Sequence, residues 1–129
     1  MREIIFRAKR EFNGSVGDGL NDFVYGYYYS TSPRVHHIYS FGEHITINAD
    51  TIQQFIGELD KNRTKIFEGD IVKIPEGYGG DYFFKESIGY VKYEDGGFIV
   101  VTKSLSDFHW NELEVIGNIF DNKELLTGE

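Results

Sequence analysis

Phe67-Glu68-Gly69-Asp70-Ile71-Val72 and, near the end of the chain, Glu114-Val115-Ile116-Gly117-Asn118-Ile119-Phe120 decide how this sequence reads. In the first stretch Glu68-Gly69-Asp70 supplies a turn. Asp bonds backbone groups close by, and Gly accepts left-handed dihedrals without strain. Ile71, Val72 and Ile74 then start a strand straight out of it. In the second stretch Val115, Ile116, Ile119 and Phe120 form an apolar run broken by Gly117, where a strand that must bend would place a glycine. The two read as the first and last strands of one small β-barrel.

What lies between them fits. Pro75 to Ser87 reads as a long Gly-rich loop carrying Tyr78, Tyr82, Phe83 and Phe84. Ile88 to Tyr93 and Phe98 to Thr102 are strands joined by Asp95-Gly96-Gly97, and Asp-Gly between alternating runs is a strong hairpin signal. His109-Trp110 leads into the last strand. Short strands, one long early loop and one tight hairpin predict an SH3-like barrel over 66–121. The polar tail over 122–129 is expected to fray.

Towards the N-terminus the same reading continues. Ile4, Phe6 and Ala8 alternate with Ile5, Arg7 and Lys9 as in a strand with one apolar face. Asn13 to Asp22 has loop composition. Phe23 to Tyr29, Val35 to Phe41 and the pair Ile45 and Ile47 read as further strands, with Phe41 to His44 turning the chain. Asn48 or Asp50 is expected to cap a brief helical turn over Thr51 to Phe55, with Gln53 completing a capping box and Gly57 ending it. Glu58 to Lys65 is polar enough for an interdomain turn. The expected organisation is mainly β: a β-rich region over 1–58, a turn or linker over 59–65, the barrel over 66–121 and the tail over 122–129.

Composition bounds the function. The chain has 129 residues, 40% of them hydrophobic and 26% charged, as expected for a globular protein. Its 11 Phe and 9 Tyr favour pleated, half-buried surfaces. The net charge of −8 argues against nucleic acid and anionic membranes, which attract clustered Lys and Arg. With no cysteine, disulfides, thiolate metal sites and a Cys nucleophile are excluded, and a reducing cytoplasm is the expected compartment. The opening residues lack a signal-peptide apolar run, and no segment approaches the roughly 20 apolar residues that cross a bilayer.

These residues resemble the YopX protein family of bacteriophages and prophages. Met1 to Arg10 resembles that family's opening strand, and Phe23-Val24-Tyr25-Gly26-Tyr27 its second strand, which usually begins with Trp. Asp50 to Gly57, Asp60-Lys61-Asn62 and Ile66 to Val72 resemble its central segment, and Glu114 to Leu126 its ending. Ile56, Glu58 and Arg63 depart from the family's usual Thr, Leu and Gly, and the loop over 14–22 is longer than usual. The resemblance implies a β-rich phage or prophage protein with an SH3-like C-terminal barrel. It brings no catalytic residues.

A search for chemistry finds none that outweighs structural roles. His36, His37 and His44 lie close in sequence beside Glu43, but adjacent strand residues face opposite ways and no HExxH spacing occurs. They read as hairpin histidines. Asp107-Phe108-His109 can orient an imidazole, yet no nucleophile motif accompanies it. Glu68 and Asp70 read as turn formers, and Gly77-Tyr78-Gly79-Gly80 lacks the Lys and helix of a phosphate loop. Neither a catalytic set, nor a metal site, nor a cofactor is expected.

Aromatics remain. Tyr78, Tyr82, Phe83, Phe84 and Trp110 form a candidate interaction surface that suits an extended peptide or another subunit equally, with folding back over the barrel ahead of either. Tyr25, Tyr27 and Tyr29 share one strand face, with Val24 and Tyr28 on the other. A domain of ~60 residues buries only ~60% of its unfolded surface. This strand is therefore expected to be covered by the barrel, by the helical turn over Thr51 to Phe55 or, as the favoured outcome, by a contact between copies of the chain through these tyrosines. The expected function is a non-enzymatic interaction module with a host or phage protein as partner. A nucleic-acid-associated protein is the alternative, and a metal-dependent hydrolase comes last.

Overall fold

The computed structural model describes residues 4–11, 22–79, 81–102 and 108–127, with only the backbone of Tyr78 and Gly79. The expected loop over Asn13 to Asp22 lies outside the described residues, Asp22 excepted. The chain divides into two compact units, Met1–Phe55 and Ile56–Glu129, and it is mainly β.

In the first unit β1 (Phe6–Lys9), β2 (Phe23–Ser32), β3 (Val35–Ser40) and β4 (Glu43–Ile47) form an antiparallel sheet in the order β4-β3-β2-β1. Side chains alternate as the pleat demands. Ala8, Ile38 and Ile47 are buried on the inner face, with Phe6, Val24, Tyr28, Ile45 and Ile52 packed against them. Val24 and Tyr28 are therefore covered by their own unit, so β2 leaves only one face without a core. The sheet curls: Arg10 bridges Ile47, the Glu11 N–H donates to the Thr46 carbonyl at 3.1 Å, and the Asn48 N–H to that of Lys9 at 2.8 Å.

The helix expected over Thr51 to Phe55 does not form. Asn48 does cap a turn, its Oδ1 accepting from the Asp50 N–H at 3.0 Å, but the turn is a single 3-10 helix over Ala49–Thr51. Strand β5 (Gln53–Leu59) follows at once. Distant partners outweigh the local signal. The Thr51 hydroxyl accepts from the Lys9 N–H at 2.8 Å, Arg7 Nε donates to Gln53 Oε1 at 2.8 Å, and the Phe55 N–H donates to the Ile5 carbonyl at 2.8 Å. Gly57 ends no helix; it lies inside β5 at φ +91°.

Strand β5 continues into the second unit, where β6 (Lys65–Phe67) is its neighbour. Then follow β7 (Asp70–Ile74), β8 (Gly77–Gly79), β9 (Tyr82–Phe84), β10 (Ser87–Glu94), β11 (Gly97–Thr102), β12 (Glu114–Asn118) and the helical turn α1 (Glu124–Thr127). Four strands make an antiparallel sheet ordered β11-β10-β7-β12. The Glu68-Gly69-Asp70 turn is built as its chemistry requires: Gly69 sits at φ +85°, and buried Asp70 accepts from the Phe67 N–H at 2.8 Å. The β10–β11 turn places Asp95 at φ +51° and Gly96 at +86°, the left-handed pair of a type I′ hairpin. Ile56, Ile66, Val72, Ile74, Val91 and Leu113 form the core, with Phe98, Val100, Phe108, Trp110 and Val115 against it. Among the described residues no pairing joins β11 to β12, so this sheet stays open.

The two decisive stretches do meet: β7 and β12 pair antiparallel. Val115 lies opposite Val72 and Gly117 opposite Ile71, so Ile116 is an extra residue and the strand bulges there. A Cβ on Gly117 would stand 2.6 Å from Asn122 Oδ1 and 2.8 Å from Asn122 Cβ. That oxygen accepts from the Asn118 N–H at 3.2 Å. Gly117→Val is expected to push Asn122 off this bond and to lower stability by about 2 kcal/mol. An unchanged thermal midpoint would show that Asn122 swings aside freely.

Two further expectations are corrected here. The segment Pro75 to Ser87, expected to be a long Gly-rich loop, contains a two-stranded ribbon, β8 with β9. Tyr82-Phe83-Phe84 carries enough β preference to pair even beside glycines. The tail does not simply fray either, since α1 packs against β10.

Candidate interaction face

Alternation that sends Ala8 and Ile38 inward sends their neighbours outward. On the outer face of the first unit Arg7 pairs with Tyr25, Tyr27 with Tyr39, Tyr29 with His37, and Tyr39 with His44. Tyr27 is 63% exposed, Tyr25 48% and Tyr39 40%. Tyr29 lies deeper and holds the group together. Its ring stacks on His37 at 4.9 Å between centroids and meets His44 edge-on at 5.8 Å, while its hydroxyl bonds His44 Nδ1 at 2.7 Å. At the β1 side, the Phe23 ring has the Arg7 guanidinium and the Lys9 ammonium each 4.3 Å from its centroid, two cation–π contacts.

Of the residues in β1 to β4 the one carboxylate is Glu43, which pairs with Ser40 and so lies on the opposite face. The outer side thus carries His37 and His44 and no acid from these strands, while Arg7 and Lys9 are buried at 5% and 9% exposure.

At the tip of the β3–β4 hairpin stands Phe41. Phe41 at φ +48° and Gly42 at +83° form a second type I′ turn, and Phe41 is wholly exposed, at 102% of its reference area. A left-handed backbone costs a non-glycine residue ~1–2 kcal/mol, and Asn or Asp tolerates it best.

The other sequence candidates are dispersed. Tyr82 is 74% exposed and Phe83 49%, both on the β8–β9 ribbon, whereas Phe84 is half-buried. Tyr78 pairs with Phe83 through its backbone, and its side chain lies outside the described residues. Trp110 belongs to a 3-10 turn (Trp110–Glu112) and packs edge-on against Phe108 at 5.6 Å, on the core of the second unit. Asp107 lies outside the described residues. The His109 backbone N–H donates to Glu112 Oε1 at 2.7 Å.

The histidines are engaged in bonds of the hairpins. His36 faces inward from His37, with Nδ1 at 2.5 Å from the Tyr28 hydroxyl and Nε2 at 3.2 Å from the Pro33 carbonyl. Since a carbonyl only accepts, the neutral ring is protonated at Nε2 and accepts from Tyr28. His37 meets the hydroxyls of Thr31 at 3.2 Å and Thr46 at 3.4 Å. Among the described residues no group of three His, Cys, Asp or Glu is placed to hold a metal ion. None of their helices is long and apolar enough to cross a membrane.

Comparison with known proteins now adds the family. A family model described as YopX protein matches residues 6–127. The chain belongs to the YopX family. Among solved structures this YopX-family chain is similar to protein EF1440 from Enterococcus faecalis. That likeness has a TM-score of 0.52 and 26% identity, and covers 98% of this chain and 99% of that one. No curated protein matches.

Proposed function

We propose that this YopX-family chain is a non-enzymatic interaction module, a phage or prophage accessory protein that works in the host cytoplasm through protein contacts. The outer face of the first unit makes those contacts. One observation carries the reading: Phe41, fully exposed on a left-handed backbone beside Tyr39 and His44 in the same hairpin. Packing of the unit itself does not call for a phenyl ring there. Strain kept at an exposed aromatic is what a docking anchor requires, because aromatic anchors dominate interface energies. The tyrosines beside it offer amphipathic contact area, and the lack of acid on their strands lets an acidic chain bring this face to a partner.

The second unit is read as an SH3-like barrel serving as scaffold. The adjacency of β7 and β12, the bulge at Ile116 and the tight β10–β11 hairpin support this, and fold alone does not imply function.

Phe41→Asn tests the face without endangering the fold. Asn suits the turn, so the variant is expected to gain about 0.5 kcal/mol in stability. Tagged wild-type protein from infected or lysogenic cells is expected to retain one defined protein. Phe41→Asn should weaken that retention more than about tenfold, while Tyr93→Ser on β10 leaves it unchanged. Equal retention by both variants would overturn the assignment of the face. Oligonucleotide binding that falls steeply with salt would instead favour the nucleic-acid alternative, and hydrolysis abolished by a chelator would favour the enzyme.

A further inference from the structure

A sheet edge is a row of backbone N–H and C=O groups open to any further strand. Proteins blunt such edges with charge, brevity, a bulge or a covering segment. Among the described residues the two larger sheets end on β4, β6, β11 and β12. β4 begins with Glu43 and is tied near its far end, where the Thr46 carbonyl accepts from the Glu11 N–H. β6 has three residues and opens with exposed Lys65. β12 bulges at Ile116, and the Asp60 carboxylate takes its Val115 N–H at 2.9 Å. β11 carries none of these devices. It runs for six residues, Gly97-Phe98-Ile99-Val100-Val101-Thr102, without a charge or a proline, and its register with β10 is unbroken.

The ladder determines what this edge offers. The tight turn makes Glu94 and Gly97 a hydrogen-bonded pair, and the bonding alternates from there. Ile99 and Val101 therefore turn their N–H and C=O groups towards β10. Phe98, Val100 and Thr102 turn theirs away, and among the described residues no strand receives them. On the outer side Ile99 is 38% and Val101 36% exposed, while Phe98 and Val100 border the core on the other.

We infer that β11 is the site of a two-fold contact, in which it pairs antiparallel with β11 of a second copy of the chain. This edge is a different surface from the face that carries Phe41, so the two readings stand or fall separately. Three features select a second copy. The strand matches itself in shape: centred on Val100, the pair sets Val100 against Val100, Ile99 against Val101 and large Phe98 against small Thr102. β-Branched and aromatic residues facing one another in this way are favoured cross-strand partners. The charges allow it. Copies of net charge −8 repel as wholes, but neither β11 strand carries a charge. Lys92 and Glu94 lie one strand back and are paired with each other at 3.6 Å, so the copies meet along a neutral strip. The pairing also closes, since an isologous contact uses the same row on both copies and ends at two. A contact of this length buries less than the ~1,600 Å² of a standard interface, so its Kd is expected in the micromolar range.

Light scattering on size-separated protein, from micromolar towards millimolar concentration, is the experiment. The mass of wild type is expected to rise from 14.9 kDa to twice that value. Ile99→Lys and Val101→Glu each place a charge at an exposed position of the edge. Both should keep the thermal melt of wild type and dimerise more weakly by about tenfold or more. Mixed in equal amounts, they should dimerise more tightly than either alone. The new lysine of one copy then stands opposite the new glutamate of the other. Phe41→Asn should dimerise as wild type does. A wild type that stays at 14.9 kDa overturns the inference, and so does growth beyond two copies. Edge variants as dimeric as wild type, or loss of the dimer in Phe41→Asn, overturn it by placing the contact elsewhere. A mixture no tighter than its parts overturns the register, and the two-fold pairing with it.

Discussion

Gly26→Ala is expected to cost the first unit about 3 to 5 kcal/mol, enough to leave that unit largely unfolded at 37 °C. A methyl group at Gly26 would overlap the carbonyl oxygen of Tyr39 and stand 3.1 Å from Ile38 Cγ2. The first obstacle is backbone, held by the pairing of β2 with β3, so no side-chain rotation relieves it. Either the two strands separate locally or the sheet shifts register, and a shift of one residue would turn Tyr25 and Tyr27 inward. Gly97→Ala is the control, because a Cβ there meets nothing within 4 Å. Thermal melts followed by circular dichroism decide the matter. A midpoint for Gly26→Ala within a degree or two of that for Gly97→Ala would mean that β3 yields without resistance. Since Tyr39 pairs with both Tyr27 and His44, a partial opening should also abolish binding through the outer face before it abolishes folding.

Asp60→Ala is expected to have a comparable effect on the second unit, also about 3 to 5 kcal/mol. The Asp60 carboxylate is 3% exposed and accepts from three backbone N–H groups: Asn62 at 2.8 Å, Thr64 at 2.9 Å and Val115 at 2.9 Å. The first two hold the turn that places Arg63 at φ +64°, and the third fastens that turn to β12, 55 residues away. The Lys61 N–H adds a bond to the Leu113 carbonyl at 2.8 Å. Alanine leaves three donors without their acceptor, and each buried one costs about 1 to 3 kcal/mol. Asp60→Asn should lose less than alanine, for it keeps one oxygen, yet it turns an amide donor towards one of the same N–H groups. Urea denaturation of the three proteins ranks them. Equal midpoints for Asp60→Ala and wild type would show that water replaces the carboxylate at no cost.

What the sequence discloses about this fold depends on how local the deciding interaction is. Glu68-Gly69-Asp70 and Asp95-Gly96 were legible because the bonds and dihedrals that make those turns lie within four residues. Gln53 to Leu59 was not, because its capping signal is real but weak, and the strand is settled by Arg7 and Ile5, far from it in sequence, together with β6 beyond the next turn. The Pro75 to Ser87 ribbon was hidden by its glycines, although Tyr82-Phe83-Phe84 carried the β preference that pairs it. For the face, alternation along Phe23 to Tyr29 put Tyr25, Tyr27 and Tyr29 together. Adding Tyr39, His37 and His44 needed the registers of β2, β3 and β4, which no single strand contains. Phe41 was within reach: Phe-Gly between two alternating runs is a two-residue turn, and an aromatic in its first position is a strained choice. A lone Trp beside a loop says nothing of which way its ring turns, and it took the structure to place Trp110 against Phe108 and the core.

The pairing of β7 with β12 also sets an order of events on the ribosome. β7 lies between β10 and β12, so it lacks one of its two neighbours until Asn118 has left the exit tunnel. The first unit needs nothing beyond Phe55 for its own strands and can fold while the rest is being made. During translation, then, Ile71, Val72 and Ile74 emerge as an apolar strand ahead of both partners, and one edge stays bare after β10 is made. A nascent chain in that state is open to chaperones, and to strands of other chains, for as long as the final stretch takes to synthesise.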